Sequence, residues 1–124
     1  MTWFPRVLGV LTAGFGTAVL VRPALLAGPV ELTERDGTVS PGVAALTRAL
    51  ACRDIASGLA MACAPTPRVL AAGLAVRTAS DAADAAVFGT RLPSPAARHK
   101  AVLAAGSWAV LCALSALSLR RRLS

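Results

Sequence analysis

The sequence predicts an all-α protein, a four-helix transmembrane bundle in which each helix is antiparallel to its neighbours along the chain. Hydrophobic residues make up 56% of the chain and charged residues 15%, whereas soluble domains contain roughly 45–50% and about 25%. The apolar residues are gathered into four blocks, each close to the length that spans a bilayer. Three of these blocks begin with the same dipeptide pattern, Ser or Thr followed by Pro.

The repeated pattern predicts where three helices begin: at Ser40-Pro41, Thr66-Pro67 and Ser94-Pro95. A hydroxyl side chain at the N-cap followed by proline at the first helical position is a strong start signal. We therefore expect a single integral membrane domain spanning residues 1–124. Its helices are expected at about 4–22, 41–64, 67–89 and 95–120, with an aqueous loop at 23–40.

The first apolar block, residues 7–21, also has the character of a signal peptide. It runs into Arg22-Pro23 without a small-residue cleavage site, so we expect an uncleaved helix. Small residues stand four apart along it, at Gly9, Ala13 and Thr17. They either let a neighbouring helix approach closely or reflect only that glycine is common in membrane helices.

The long loop holds three of the six acids and several prolines, and residues 34–37 are typical of a solvated turn. A one-turn interfacial helix at 23–27 is an open alternative. The last block is the clearest transmembrane segment, because Arg120-Arg121-Arg122 follows a long, nearly uncharged run.

Six charged residues interrupt the two middle blocks and form the predicted polar centre. They are Arg48, Arg53, Asp54, Arg77, Asp81 and Asp84. At about 100° per residue, the last three lie within about 60° of one another on a helix. If the chain folds back at Thr66, the charges come level as the pairs Arg48–Asp84, Arg53–Asp81 and Asp54–Arg77. Gly58 and Gly73 would let the two helices approach at this point.

Pairing matters because three unpaired ionisable residues at a bilayer centre would cost on the order of 8–10 kcal/mol. The pairing favours four spanning helices. The alternative has two spanning helices and an amphipathic, alanine-rich hairpin on the membrane or in water.

The charge distribution argues against nucleic-acid binding, although the net charge is +7. The cations stand mostly at the ends of apolar blocks, where they anchor to lipid headgroups. No aromatic residues alternate with them to stack bases. The expected partners are therefore the lipid bilayer and a second copy of the chain or a membrane partner protein, with no nucleic acid.

Few residues suit catalysis, so we do not expect an enzyme. The single histidine, His99, lies between two cations at a helix start. The three cysteines fall within apolar runs, where cysteine acts as a small hydrophobe. The sequence has no cysteine–histidine metal pattern and no phosphate-binding loop. No catalytic residue, metal or cofactor is predicted.

Two functions remain open. In one, the protein is a non-enzymatic membrane scaffold or accessory subunit, and the buried Arg/Asp network fixes its helices. In the other, it is a small carrier or binding protein whose charged centre takes a solute, ion or proton. Asp81 or Asp84 would then be the exchangeable site, and Arg77 would hold an anionic group.

We expect a multi-pass protein of the cell membrane with both termini in the cytoplasm. Counted near the helix ends, Lys and Arg are balanced between the two sides, so their number alone does not decide the orientation under the positive-inside rule. The cluster Arg120 to Arg122 beside the most hydrophobic block favours a cytoplasmic terminal side.

The pattern Arg53-Asp54-x-x-x-Gly58-Leu59, followed by Arg77, Asp81 and Asp84, resembles a family of small bacterial and fungal integral membrane proteins. That family is catalogued as a domain of unknown function with four predicted helices. The layout is more distantly similar to DoxX-like membrane proteins. The resemblance implies a membrane location and a polar centre, and it brings no known activity.

Overall fold

The computed structural model describes residues 2–123, so the predicted domain 1–124 extends one residue beyond the described part at each end. The described residues are 81% helical and contain no strand, which confirms the all-α class. They form five helices: α1 Trp3–Val21, α2 Ala24–Ala27, α3 Pro41–Ala62, α4 Pro67–Arg91 and α5 Pro95–Leu123.

The prediction of four helices misses one short element, α2. This helix is a single turn, in which the amides of Leu26 and Ala27 donate to the carbonyl of Pro23. Pro23 has a φ of −56°, which its ring imposes and which is already helical. The one-turn alternative at residues 23–27 is thus the one observed.

The three Ser/Thr-Pro helix starts are confirmed. α3, α4 and α5 begin at the predicted prolines. Each preceding hydroxyl accepts a hydrogen bond from the backbone amide three residues on, which satisfies an otherwise unpaired helical N–H. The bonds are Val43 N to Ser40 Oγ at 3.4 Å, Val69 N to Thr66 Oγ1 at 3.2 Å and Ala97 N to Ser94 Oγ at 3.3 Å.

Helices α1 and α3 form a close antiparallel pair because small residues meet along the contact. A Cβ placed on Gly58 would lie 2.5 Å from the carbonyl oxygen of Gly9. Gly9 and Ala13 therefore belong to the predicted small-residue contact. Thr17 does not, because its side chain is exposed and Gly16 is buried in its place. Seven helical residues return within about 20° of the starting direction and eight do not.

Helices α4 and α5 form the second antiparallel pair. Gly89 of α4 faces Val102 of α5, and a Cβ on Gly89 would lie 2.6 Å from a Val102 methyl group. At the end of the bundle where α1 begins and α5 ends, a hydrophobic core joins residues from all four long helices and from the segment just after α3. Its buried members are Leu8, Met61, Ala64, Leu70, Leu74, Cys112 and Leu119.

The contact between the two pairs is less extensive than the contact within each pair. α1 packs chiefly on α3 and α4 chiefly on α5, whereas α3 meets α4 and α1 meets α5 over shorter stretches. Met61 of α3 fits against Gly73 of α4, beside the core. Toward the long loop the pairs diverge, and a cavity lies between them.

The long loop is only partly aqueous, which corrects the prediction for residues 23–40. Val30 is buried against Leu92, Ala97 and Ala101, so this part of the loop covers the start of α5. Residues 34–38 are exposed and form the predicted solvated turn. In it, Thr38 donates hydroxyl and amide hydrogen bonds to Asp36, and these bonds lower the pKa of the Asp36 carboxyl.

Candidate functional site

The centre of the predicted polar cluster is Arg77 of α4, a side chain that is only 2% exposed. Its Nε and Nη2 atoms donate to the two carboxylate oxygens of Asp81, one turn along the same helix, at 3.0 and 2.5 Å. Its Nη1 atom reaches across to α3 and donates to Asp54 Oδ1 at 2.6 Å and to Ser57 Oγ at 2.9 Å. The predicted pair Asp54–Arg77 is confirmed.

Arg53 of α3 makes the second link between the helix pairs. Its two terminal nitrogens donate to the two oxygens of Asp84 at 3.0 and 2.5 Å, a bidentate geometry that carboxylates and guanidinium groups favour. Nη2 also lies 3.3 Å from Asp54 Oδ1. Within residues 2–123 the buried Nε of Arg53 has no acceptor, so this arginine is satisfied less completely than Arg77.

The predicted pair Arg53–Asp81 is wrong. Both oxygens of Asp81 are already taken by Arg77 on the same helix. Asp84 lies on the same face one turn further along, and the long arginine side chain reaches it instead. Folding the chain back at Thr66 predicted the position of each charge along the bundle axis to within about one helical turn. It did not consider that Arg77, four residues before Asp81 on the same helix, competes with Arg53 for this aspartate.

Arg48 does not belong to the cluster, and its predicted pairing with Asp84 is wrong. The side chain is exposed, and Nε donates to the Leu20 carbonyl at the end of α1, at 3.2 Å. Arg48 precedes Arg53 by five residues, which turns it about 140° away on the helix. It therefore lies beside α1. At the other end of this pair Arg6 donates to the Ala62 carbonyl at 3.1 Å, so an arginine binds a carbonyl at the end of each helix.

Gly58 also has another role than predicted. Its close neighbours are Gly9 and Ala13 of α1, and not α4. Gly73 does face α3, through Met61. The predicted close approach beside the charges is thus confirmed for Gly73 only.

The cluster has two cations and three anions, because Arg48 lies outside it. Its members are Arg53, Arg77, Asp54, Asp81 and Asp84. Asp81 and Asp84 each use both oxygens on an arginine, whereas Asp54 uses only Oδ1. In the part of the chain that the structure describes, no group donates to Asp54 Oδ2, and the side chain is 18% exposed.

A cavity of about 690 Å³ adjoins this cluster between the two helix pairs. Its charged end contains Asp54, Arg77, Asp81 and Asp84, and its other walls are almost entirely aliphatic and aromatic. Residues 25–32 of the loop region contribute to the lining at the far end. Cavities of about 300–1,000 Å³ with apolar walls and a few polar groups are typical of small-molecule sites.

Three residues near the cavity were missed by the sequence reasoning. The indole of Trp108 on α5 donates to Thr12 Oγ1 on α1 at 2.9 Å, which joins the outer helices beside the charged end. Lys100 lines the cavity from the first turns of α5. A tryptophan alone in an apolar helix was a usable signal, because a buried indole N–H needs an acceptor.

The charged residues of the cluster are arginines and aspartates that pair with one another. Over the described residues, no group of three His, Cys, Asp or Glu side chains is placed to hold a metal ion. His99 is exposed, and it is absent from the cavity lining. The bidentate contacts between arginine and aspartate side chains orient these side chains beside the cavity.

The chain matches no protein-family model, no curated protein and no solved structure. The resemblance to small four-helix membrane proteins therefore stays a prediction, and the function has to be inferred from the site alone.

Proposed function

We propose that this protein is a small multi-pass membrane protein that binds an amphiphilic small molecule in the cavity between its two helix pairs. The observation that carries the proposal is the cavity itself: an apolar chamber with a charged end made of residues from α3 and α4. This is the carrier or binding alternative of the two functions that the sequence left open.

The membrane location is supported by where the apolar side chains lie. α1 and α5 are long and apolar enough to cross a bilayer, yet only 33% and 17% of their most apolar windows are buried inside the protein. The central helix of a soluble protein would be mostly buried. Most outward-facing residues in the middle of α5 are aliphatic, as lipid contact favours; they include Leu103, Val110, Leu114 and Leu117.

Helix α1 packs as an integral part of the bundle, which favours an uncleaved helix over a signal peptide. Gly9 and Gly16 fit against α3, and Thr12 accepts a hydrogen bond from α5. α3 and α4 contain 22 and 25 residues. At about 1.5 Å per residue both exceed a hydrocarbon core of about 30 Å. Apart from Arg48, which binds the Leu20 carbonyl of α1, the charges in the middle of these helices face one another or the cavity. Four spanning helices with a largely apolar, lipid-facing exterior are therefore the architecture we propose.

A membrane scaffold or accessory subunit is the second candidate, and one observation favours it. Arg77 uses Nε, Nη1 and Nη2 on Asp54, Ser57 and Asp81, as expected of a group that only holds helices together. A scaffold, however, has no need of a chamber beside its ion pairs. We therefore place ligand binding first.

The test is ligand binding to purified protein in nanodiscs of a zwitterionic lipid, followed by the fluorescence of Trp108 in a Trp3→Phe background. A panel of alkyl amphiphiles should change the Trp108 emission saturably, because the indole lines the cavity. Ala105→Phe places a ring into the cavity and should abolish the saturable change.

The matched control is Ala83→Phe, the same substitution at an exposed position of α4 that does not line the cavity. It should bind as the parent protein does. Loss of binding in both variants, or in neither, would contradict the proposed function.

A further inference from the structure

We propose that the ligand of this cavity carries a single positive charge, an alkyl ammonium or a similar organic cation, and that its head group binds Asp54 Oδ2. This inference rests on the proposed function and names the chemical class of the molecule. It replaces the expectation that Asp81 or Asp84 is the exchangeable group and that Arg77 holds an anion.

The first step is the charge balance. Three carboxylates face two guanidinium groups in the cluster, so one negative charge lacks an internal counterion. An uncompensated charge in a largely apolar surrounding is unfavourable unless a partner neutralises it. A cation bound beside the cluster supplies that partner.

The second step locates the uncompensated charge. Asp81 is chelated by Arg77 and Asp84 by Arg53, each through both oxygens. Asp54 shares Oδ1 between the two arginines. Its Oδ2 has no donor among the described residues, and Asp54 lines the cavity. Oδ2 of Asp54 is therefore the acceptor that a ligand finds unoccupied.

The third step excludes an anionic head group at this end. The Arg77 guanidinium, the cation that lines the charged end, uses Nε, Nη1 and Nη2 on protein acceptors. An anion would have to displace a carboxylate, which would then remain buried and unpaired. The other cation in the lining, Lys100, lies eight residues before Trp108 on α5, about 12 Å along the helix. It is exposed, so its charge is screened.

The fourth step is the shape of the rest of the chamber. Beyond the charged end, the lining is aliphatic or aromatic apart from Thr12, Thr47 and Lys100. Such walls take an alkyl chain and exclude a hydrated inorganic ion, whose water shell they could not replace. A head group with one positive charge and an apolar tail matches both parts of the cavity.

The experiment compares octylammonium, octanol and octanoate, whose alkyl tails have seven or eight carbons and whose head groups differ in charge. Binding is measured by Trp108 fluorescence in the Trp3→Phe protein in zwitterionic nanodiscs. We expect the ammonium compound to bind roughly tenfold or more tightly than the other two, since a hydrogen bond to a charged group contributes about that factor or more.

The diagnostic variant is Asp54→Asn. The amide oxygen can still accept from Arg77 at the Oδ1 position, so the helix contact is retained while the charge at Oδ2 is removed. This variant should bind the three compounds about equally. Asp36→Asn makes the same chemical change in the exposed turn and should leave the preference for the cation intact.

The outcomes separate this inference from the proposed function. Equal binding of all three compounds to the parent protein, or tighter binding of octanoate, overturns the cationic ligand while the cavity function stands. No saturable binding of any compound overturns both. Should Asp54→Asn not fold, Leu50→Phe, which fills the apolar part of the cavity, must lower binding of the ammonium compound without changing the order of the three.

Discussion

The close contact between α1 and α3 makes Gly58 the most informative position for stability. Replacing Gly58 with alanine would place a Cβ 2.5 Å from the Gly9 carbonyl oxygen and 2.6 Å from the Ala13 amide nitrogen. Ordinary contact for a Cβ begins at 3.4 Å, so α1 would have to retreat by about 1 Å. The obstructing atoms are backbone atoms, and a side-chain rotation therefore cannot relieve the clash.

The magnitude follows from two opposing effects. Overpacking costs about 1–3 kcal/mol, and the upper end applies because two helix backbones must separate. Alanine gains back about 1 kcal/mol of helix propensity over glycine. We expect Gly58→Ala to lower the free energy of unfolding by about 2 kcal/mol.

The matched control is Gly14→Ala on α1, where an added Cβ meets nothing within 4 Å. It has only the propensity gain and should be more stable than the parent by up to about 1 kcal/mol. The assay is unfolding by sodium dodecyl sulfate in mixed micelles, followed by circular dichroism and tryptophan fluorescence. If Gly58→Ala is as stable as Gly14→Ala, the close packing of α1 on α3 is refuted.

Three further predictions follow from the charges and cysteines. Arg77→Met should lower the free energy of unfolding by about 3–5 kcal/mol, because it leaves the buried Asp81 unpaired and Asp54 with only its 3.3 Å contact to Arg53, whereas Arg48→Met outside the cluster should cost less than about 1 kcal/mol; micelle unfolding measures both. In liposomes, a water-soluble maleimide should label Cys63 at the end of α3 and spare Cys52 near its middle, although both are exposed in the protein; labelling of both would favour the amphipathic hairpin. A fluorescent reporter fused after Ser124 should be bright and alkaline phosphatase at the same place inactive, and the reverse would put the termini outside the cytoplasm.

The features that could be predicted from the sequence are those determined by a few neighbouring residues, such as the helix starts. A hydroxyl before a proline specifies a helix start within four residues of chain, and Ser40, Thr66 and Ser94 all act this way. The single turn at Ala24–Ala27 could be predicted only as an alternative, because four residues carry too little pattern to distinguish a turn from a loop. The burial of Val30 depends on α5 and has no local signal.

The partners within the charged cluster could be predicted only in part. Folding two helices back on each other fixes how far along the bundle axis each residue lies. This level alone was enough to predict that Asp54 meets Arg77. The direction in which a side chain leaves its helix decides which neighbouring helix it meets, and Arg48 points toward α1. Competition within one helix also counts, since Arg77 takes Asp81 and leaves Asp84 to Arg53. Neither effect is visible until the neighbour of each helix face is known.

The cavity follows from a difference in how the helices are joined. Within the first pair, Gly9 meets Gly58 and the backbones are in close contact. Between the pairs, contact beside the cavity is made by long side chains, Arg53 and Arg77, that bridge from one backbone to the other. A guanidinium bridge holds two helices further apart than a glycine contact does, and the space it leaves is largely apolar because mostly aliphatic and aromatic side chains line it. The same ion pairs thus both fix the two helix pairs and keep open the chamber at which Asp54 presents its unoccupied oxygen.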